Sequence, residues 1–81
     1  MGFMTPIEAL RKAIETAGSQ TALAEAVGTT QPRVSEWLNE AGQASAVFAL
    51  RIEQATGVSR HDLRPDVFGE APAREDAGAA A

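Results

Sequence analysis

The chain contains no cysteine. Disulfides and thiolate metal sites are therefore excluded, and the composition fits a reducing compartment. Long hydrophobic runs are missing too: no stretch approaches the roughly 20 apolar residues that a membrane span needs. The opening "MGFMTPIEAL" has neither a basic leader nor an unbroken apolar run, so no signal peptide is expected. A small cytoplasmic protein is the expectation. There is also no surplus of positive charge. The net charge is −4 over 81 residues. Six Arg/Lys and eight Asp/Glu precede Gly69, giving −2, and one Arg and three acids follow, giving another −2. A nucleic-acid binder usually carries a basic stripe. Its absence in bulk weighs against DNA, leaving only a local cluster as a route.

Catalytic groupings are absent as well. His61 is the sole histidine, and no Ser/His/Asp or Cys/His set exists. No glycine-rich phosphate loop follows a strand, because no alternation of the strand type occurs. Glu8, Glu15, Glu25 and Glu53 are scattered and read as solvated helix faces. No catalytic residue, no metal ligand and no cofactor is expected, and the protein does not read as an enzyme.

Helix signals, by contrast, are plentiful. In "TPIEALRKAIETAG", Thr5 is an N-cap, Pro6 opens the helix and Glu8 completes a capping box. Ile7, Leu10 and Ile14 recur at helical spacing, and Gly18 ends the run. Ser19 caps a second helix, "QTALAEAV", with Leu23, Ala24 and Val27 inward and Gly28 closing it. Thr30 caps a third, with Pro32 in the first turn and Val34, Trp37 and Leu38 as its apolar stripe. After the loop "EAGQAS", Ser45 caps "AVFALRIEQAT", with Phe48, Ala49, Ile52 and Ala55 at helical spacing and Gly57 as its stop. Ser59 and Asp62 repeat the capping-box spacing before a short fifth helix, "RHDL", which Pro65 ends. Val67 and Phe68 follow with no obvious place in a five-helix core. Residues 1–68 read as the domain. The Ala/Gly/Pro-rich stretch from 69 to 81 reads as a disordered tail.

Two helices joined by a short glycine turn are the signature of a helix-turn-helix. Ala24 is small enough to let the next helix approach, and Gly28 must take a positive φ for the chain to reverse. The outer face of the third helix is left polar, with Gln31, Arg33, Ser35 and Glu36. The stretch "QTALAEAVGTTQPRVSEWLN", Gln20 to Asn39, resembles the helix-turn-helix of phage Cro and CI-type repressors. "RIEQATGVSRHDLRPDVF", Arg51 to Phe68, is similar to the YdaS-like branch, the Cro-like antitoxin-type proteins. The resemblance covers roughly Ala9 to Phe68.

That resemblance implies an all-α, five-helix, lambda-repressor-like domain. It would bind double-stranded operator DNA, usually as a homodimer, with its third helix in the major groove. Carried over position by position, Gln20 matches a phosphate contact at the start of helix two. Gln31 matches the glutamine that opens many recognition helices and pairs with adenine. Arg33 can hold phosphate or reach guanine. Ser35 is a weaker contact that turns partly aside. Glu36 matches a base-reading position, and Asn39 a backbone contact at the helix exit. Thr30, the cap of that helix, belongs to the same DNA-binding set. Two departures stand out. Pro32 removes one polar contact, and Glu36 puts a negative charge toward DNA, where it accepts from cytosine N4 or repels phosphate. The expected role is a prokaryotic or phage-borne transcriptional regulator, a repressor or antitoxin-type autoregulator. The alternative, favoured by the acidic charge, is a protein-interaction module that grips a basic partner such as a toxin or polymerase subunit. Val67 and Phe68 are the dimer-surface candidates.

Overall fold

The computed structural model describes residues 4–69, and these are helical with no strand among them. Most of the expected tail, 70–81, lies outside the described residues. Helix α1 (Pro6–Ala17) begins as its sequence demands. The Glu8 amide donates to Thr5 Oγ1 at 3.3 Å, and the Thr5 amide donates to Glu8 Oε1 at 3.0 Å. Helix α2 (Gln20–Val27) starts from Ser19, whose hydroxyl accepts from the Ala22 amide at 3.0 Å. Gly28 then takes φ 84°, ψ 33°, left-handed backbone that L side chains resist. Its amide and that of Thr29 both return to the Ala24 carbonyl at 2.9 Å, and the chain reverses.

Helix α3 (Gln31–Glu36) follows from its Thr30 cap. It does not stop as a regular helix. From Trp37 to Ala41 it widens into a π-helical turn, closed by Gly42 at φ 74°, whose amide reaches back to the Trp37 carbonyl. The same carbonyl accepts from the Gln43 amide at 3.1 Å. A π turn accommodates one extra residue in a helical run. Spacing alone predicted a continuous third helix through Asn39, and the extra residue is invisible to a period of 3.6.

Helix α4 (Ala46–Thr56) and the short α5 (Arg60–Leu63) complete the expected elements. Ser59 caps α5 through the His61 amide at 3.0 Å, a one-sided cap, where spacing suggested a reciprocal box with Asp62. Pro65 does end α5, yet it also opens a further turn, α6 (Pro65–Phe68). A missing N–H is no loss at the first position of a new turn.

One core joins these elements. Leu10, Leu23, Val34, Ile52 and Leu63 are its largest fully buried side chains, with Trp37 nearly so. Each such side chain contributes about 1.5–3 kcal/mol relative to exposure. Ala9, Ala13, Ala24 and Ala49 are also fully or nearly buried, and their small size sets how closely α1, α2 and α4 approach. Ala55, expected on the inner stripe of α4, is exposed, and Thr56 lies inward of it. Phe68 has a place after all. It packs half-buried against the core, with the His61 ring edge-on at 6.4 Å and the Arg60 guanidinium 5.8 Å from its centroid. Val67 remains 52% exposed.

Arginine locks the remaining joints. Arg64 donates from Nη1 to the Ala44 carbonyl at 3.1 Å. It grips Asp66 through Nε at 2.9 Å and Nη2 at 2.7 Å. The hydrogen bond to Asp66 raises the Arg64 pKa above its ordinary value. The same bond from Arg64 holds the Asp66 carboxyl below the usual carboxylate range. Arg60 pairs with Glu53 at 2.8 Å, tying α5 to α4.

Candidate nucleic-acid interface

The helix-turn-helix rests on a brace from α4. Arg51 Nη1 donates to the Val27 carbonyl at 3.3 Å, at the C-terminal end of α2. Its guanidinium lies 5.6 Å from the Phe48 centroid, and Phe48 meets Trp37 at 5.6 Å between ring centroids. A Cβ added at Gly28 would come 3.4 Å from Arg51 Nη1, so the brace sits against the turn itself. Nothing in the sequence signals this contact, because it joins residues in separate helices with no shared periodicity. Trp37 faces inward as part of that brace and is not available for stacking on bases.

Above the brace, the outer face of α3 is open. Gln31, Arg33 and Glu36 are exposed, with Thr30 and Pro32 beside them. Gln20, half-buried at the first turn of α2, is brought against Gln31, whose Nε2 donates to Gln20 Oε1 at 2.6 Å. The two glutamines thus form one unit across the turn. A glutamine amide has two N–H groups and a carbonyl oxygen. With one N–H engaged, the exposed Gln31 keeps one donor and one acceptor. Gln20 keeps its own amide donors.

The other candidates pair along the helix. Thr30 has its hydroxyl occupied as the cap, accepting from the Arg33 amide at 3.4 Å. Ser35 is half-buried, as expected of a residue turning aside, and its hydroxyl accepts from Asn39 Nδ2 at 3.0 Å. Asn39 lies in the π turn and is exposed. Arg33 Nε stands 3.8 Å from Glu36 Oε1, one turn along. This geometry brings Gln20 to Gln31, Arg33 to Glu36 and Ser35 to Asn39. It does not join those three pairs into one network.

Among the described residues, no group of three or more His, Asp or Glu side chains could hold a metal ion, and no helix is long and apolar enough to cross a membrane. No buried side-chain nitrogen or oxygen among them lacks a hydrogen-bond partner.

An open, polar helix braced across a glycine turn by a second short helix defines a helix-turn-helix protein of the Cro type. The chain belongs to the family described as bacterial toxin YdaS, whose model matches residues 10–72. Among solved structures it is similar to the Cro protein from a prophage element designated Xfaso 1 in Xylella fastidiosa strain Ann-1. The two are 40% identical, with a TM-score of 0.70, over 75% of this chain and 95% of that one. No curated protein matches it. These likenesses fit a DNA-binding regulator or antitoxin in general.

Proposed function

We propose that this protein is a sequence-specific regulator of transcription that binds double-stranded operator DNA and catalyses no reaction. The observation that carries the reading is the Gln20–Gln31 pair at 2.6 Å on an open ridge. Gln31's remaining N–H and its Oε1 match the adenine major-groove edge, which offers N7 as acceptor and N6–H as donor. Gln20 stands at the N-terminus of α2, where the first amides have no intrahelical partner and favour a phosphate. One hydrogen bond therefore ties a backbone contact to a base contact and fixes their register. Arg33 and Glu36 extend the contact along α3 and Asn39 carries it into the π turn, with Thr30 holding the helix start and Ser35 orienting Asn39.

A protein binding alone through this helix covers few base pairs. A homodimer on a near-palindromic site, with its α3 helices about 34 Å apart, reads more. Val67 stays a candidate for that contact, while Phe68 is engaged within its own fold. The role is that of a repressor or antitoxin-type autoregulator acting in the cytoplasm of its host. The competing reading, a module gripping a basic protein such as a toxin, draws on the net charge of −4. It gives no reason for the glutamine pair.

The test is Gln31→Ala against Arg33→Ala on a selected duplex. Losing Gln31 is expected to cost about 1–3 kcal/mol on the cognate site and to relax preference at one position. Losing Arg33 is expected to relax preference at a different position and to lower affinity for every duplex as well. If the Gln31 variant binds every sequence as the parent does, the assignment of α3 as the reading element fails.

A further inference from the structure

The exposed ridge of α3 carries one cation and one anion, and they face each other. Arg33 and Glu36 are 54% and 60% exposed, with Nε and Oε1 3.8 Å apart. An exposed pair of this kind contributes little to stability. Stability therefore gives no reason for an acid on a surface that meets a polyanion. The other described cations offer no substitute on this helix. Arg60 is paired with Glu53, Arg64 with Asp66, and Arg51 is turned onto the Val27 carbonyl and Phe48. Arg11 and Lys12 lie on α1. Arg33 is the one cation on the reading helix, and it sits beside a carboxylate.

We infer that Glu36 is a positioning residue that acts through Arg33 to favour guanine over backbone phosphate. The inference rests on the DNA reading of α3 given above. The carboxylate lies on the Nε side of the guanidinium. The outer Nη groups stay open, and that edge pairs with guanine O6 and N7. A phosphate brings a full negative charge, which Glu36 repels. A guanine edge brings two acceptors and no net charge. The same carboxylate thus lowers attraction to any duplex while leaving the base contact intact. Discrimination rises because non-specific binding falls.

The experiment compares the full chain with Glu36→Gln, Arg33→Ala and the double variant, on a selected site and on random duplex, across a salt series. Glu36→Gln keeps shape and removes charge. It is expected to raise random-duplex affinity roughly three- to tenfold and to steepen the salt slope by about 0.9, as one more phosphate contact does. Preference for guanine at one position is expected to fall with it. With Arg33 already alanine, Glu36→Gln should no longer change base preference. A Glu36→Gln variant that instead loses a cytosine preference, with or without Arg33, makes Glu36 a direct reader and overturns the inference. Unchanged random-duplex affinity and preference overturn it too. If the unaltered chain binds no DNA, the DNA reading itself falls, an outcome visible before any variant is compared.

Discussion

At the C-terminal end of the domain, Arg64 donates from three of its nitrogens to Ala44 and Asp66, whereas Arg33 on α3 has only a carboxylate 3.8 Å away. Arg60 resembles Arg64, held by Glu53 at 2.8 Å and laid over Phe68. The same residue type fastens the fold in one region and lies exposed on a helix surface in the other. The paired glutamines and the Ser35–Asn39 contact follow the second pattern, since each hydrogen bond leaves polar atoms open to solvent. A count of charges therefore says little about DNA binding here. What matters is which charges the fold has already engaged. On the proposed DNA reading, the ridge of α3 would recognise by hydrogen bonding more than by bulk attraction, and a shallow salt dependence is expected.

Substitutions in the two regions should separate these roles. The largest effect is expected from Trp37→Ala, which empties the wedge beneath α3 and should cost about 3–5 kcal/mol of unfolding free energy in a urea titration. Both regions share one core, so helix loss and stability should fall in one transition; two separate transitions would divide the domain. Gly28→Val forces a branched side chain into left-handed backbone against Arg51 and is expected to cost about 1–3 kcal/mol, read by thermal melting. Arg64→Ala leaves the Ala44 carbonyl without its donor and should cost about 1–3 kcal/mol in the same assay. Arg33→Ala should stay within about 0.5 kcal/mol of the parent in stability, while weakening DNA binding. Equal destabilisation by the two arginine variants would erase the distinction between them.

The smallest effect concerns acid. Asp66 is held below its ordinary pKa by the hydrogen bond from Arg64. Its contribution is present above the ordinary carboxylate range and is lost as pH falls through the lowered value. Because the carboxylate is exposed, the loss is slight. Asp66→Asn should lower stability slightly at neutral pH, and its difference from the parent should vanish in acid, where Asp66 itself becomes protonated. A difference that persists or grows in acid would contradict that sign.

Helix starts were legible because capping is local chemistry: Thr5 with Glu8, Ser19, Thr30 and Ser45 each cap as their positions imply. The turn at Gly28 was legible for the same reason, and so was the polar face of α3. What escaped the sequence depends on distance or on a change of pitch. The π turn from Trp37 keeps apolar residues at spacings that an ordinary helix also allows. Arg51 reaches Val27 across 24 residues, and Phe68 finds the core only because Pro65 opens a new turn. The buried alanines of α1 flank its Ile/Leu stripe, but a small side chain gives a weak hydrophobic signal. On the outer face of α3, which residues are polar was legible, but not which of them pair. Gln20 and Gln31 are 11 positions apart, and only the reversal at Gly28 brings them together.

Selecting bound duplexes from a random oligonucleotide pool, with the full chain and with Gln31→Ala in parallel, tests α3 as the reading element. Enrichment of a near-palindromic pair of half-sites about one helical turn apart is expected, with an adenine preference that the Gln31→Ala selection lacks. A pool that stays random, or one motif recovered unchanged by both proteins, would contradict it.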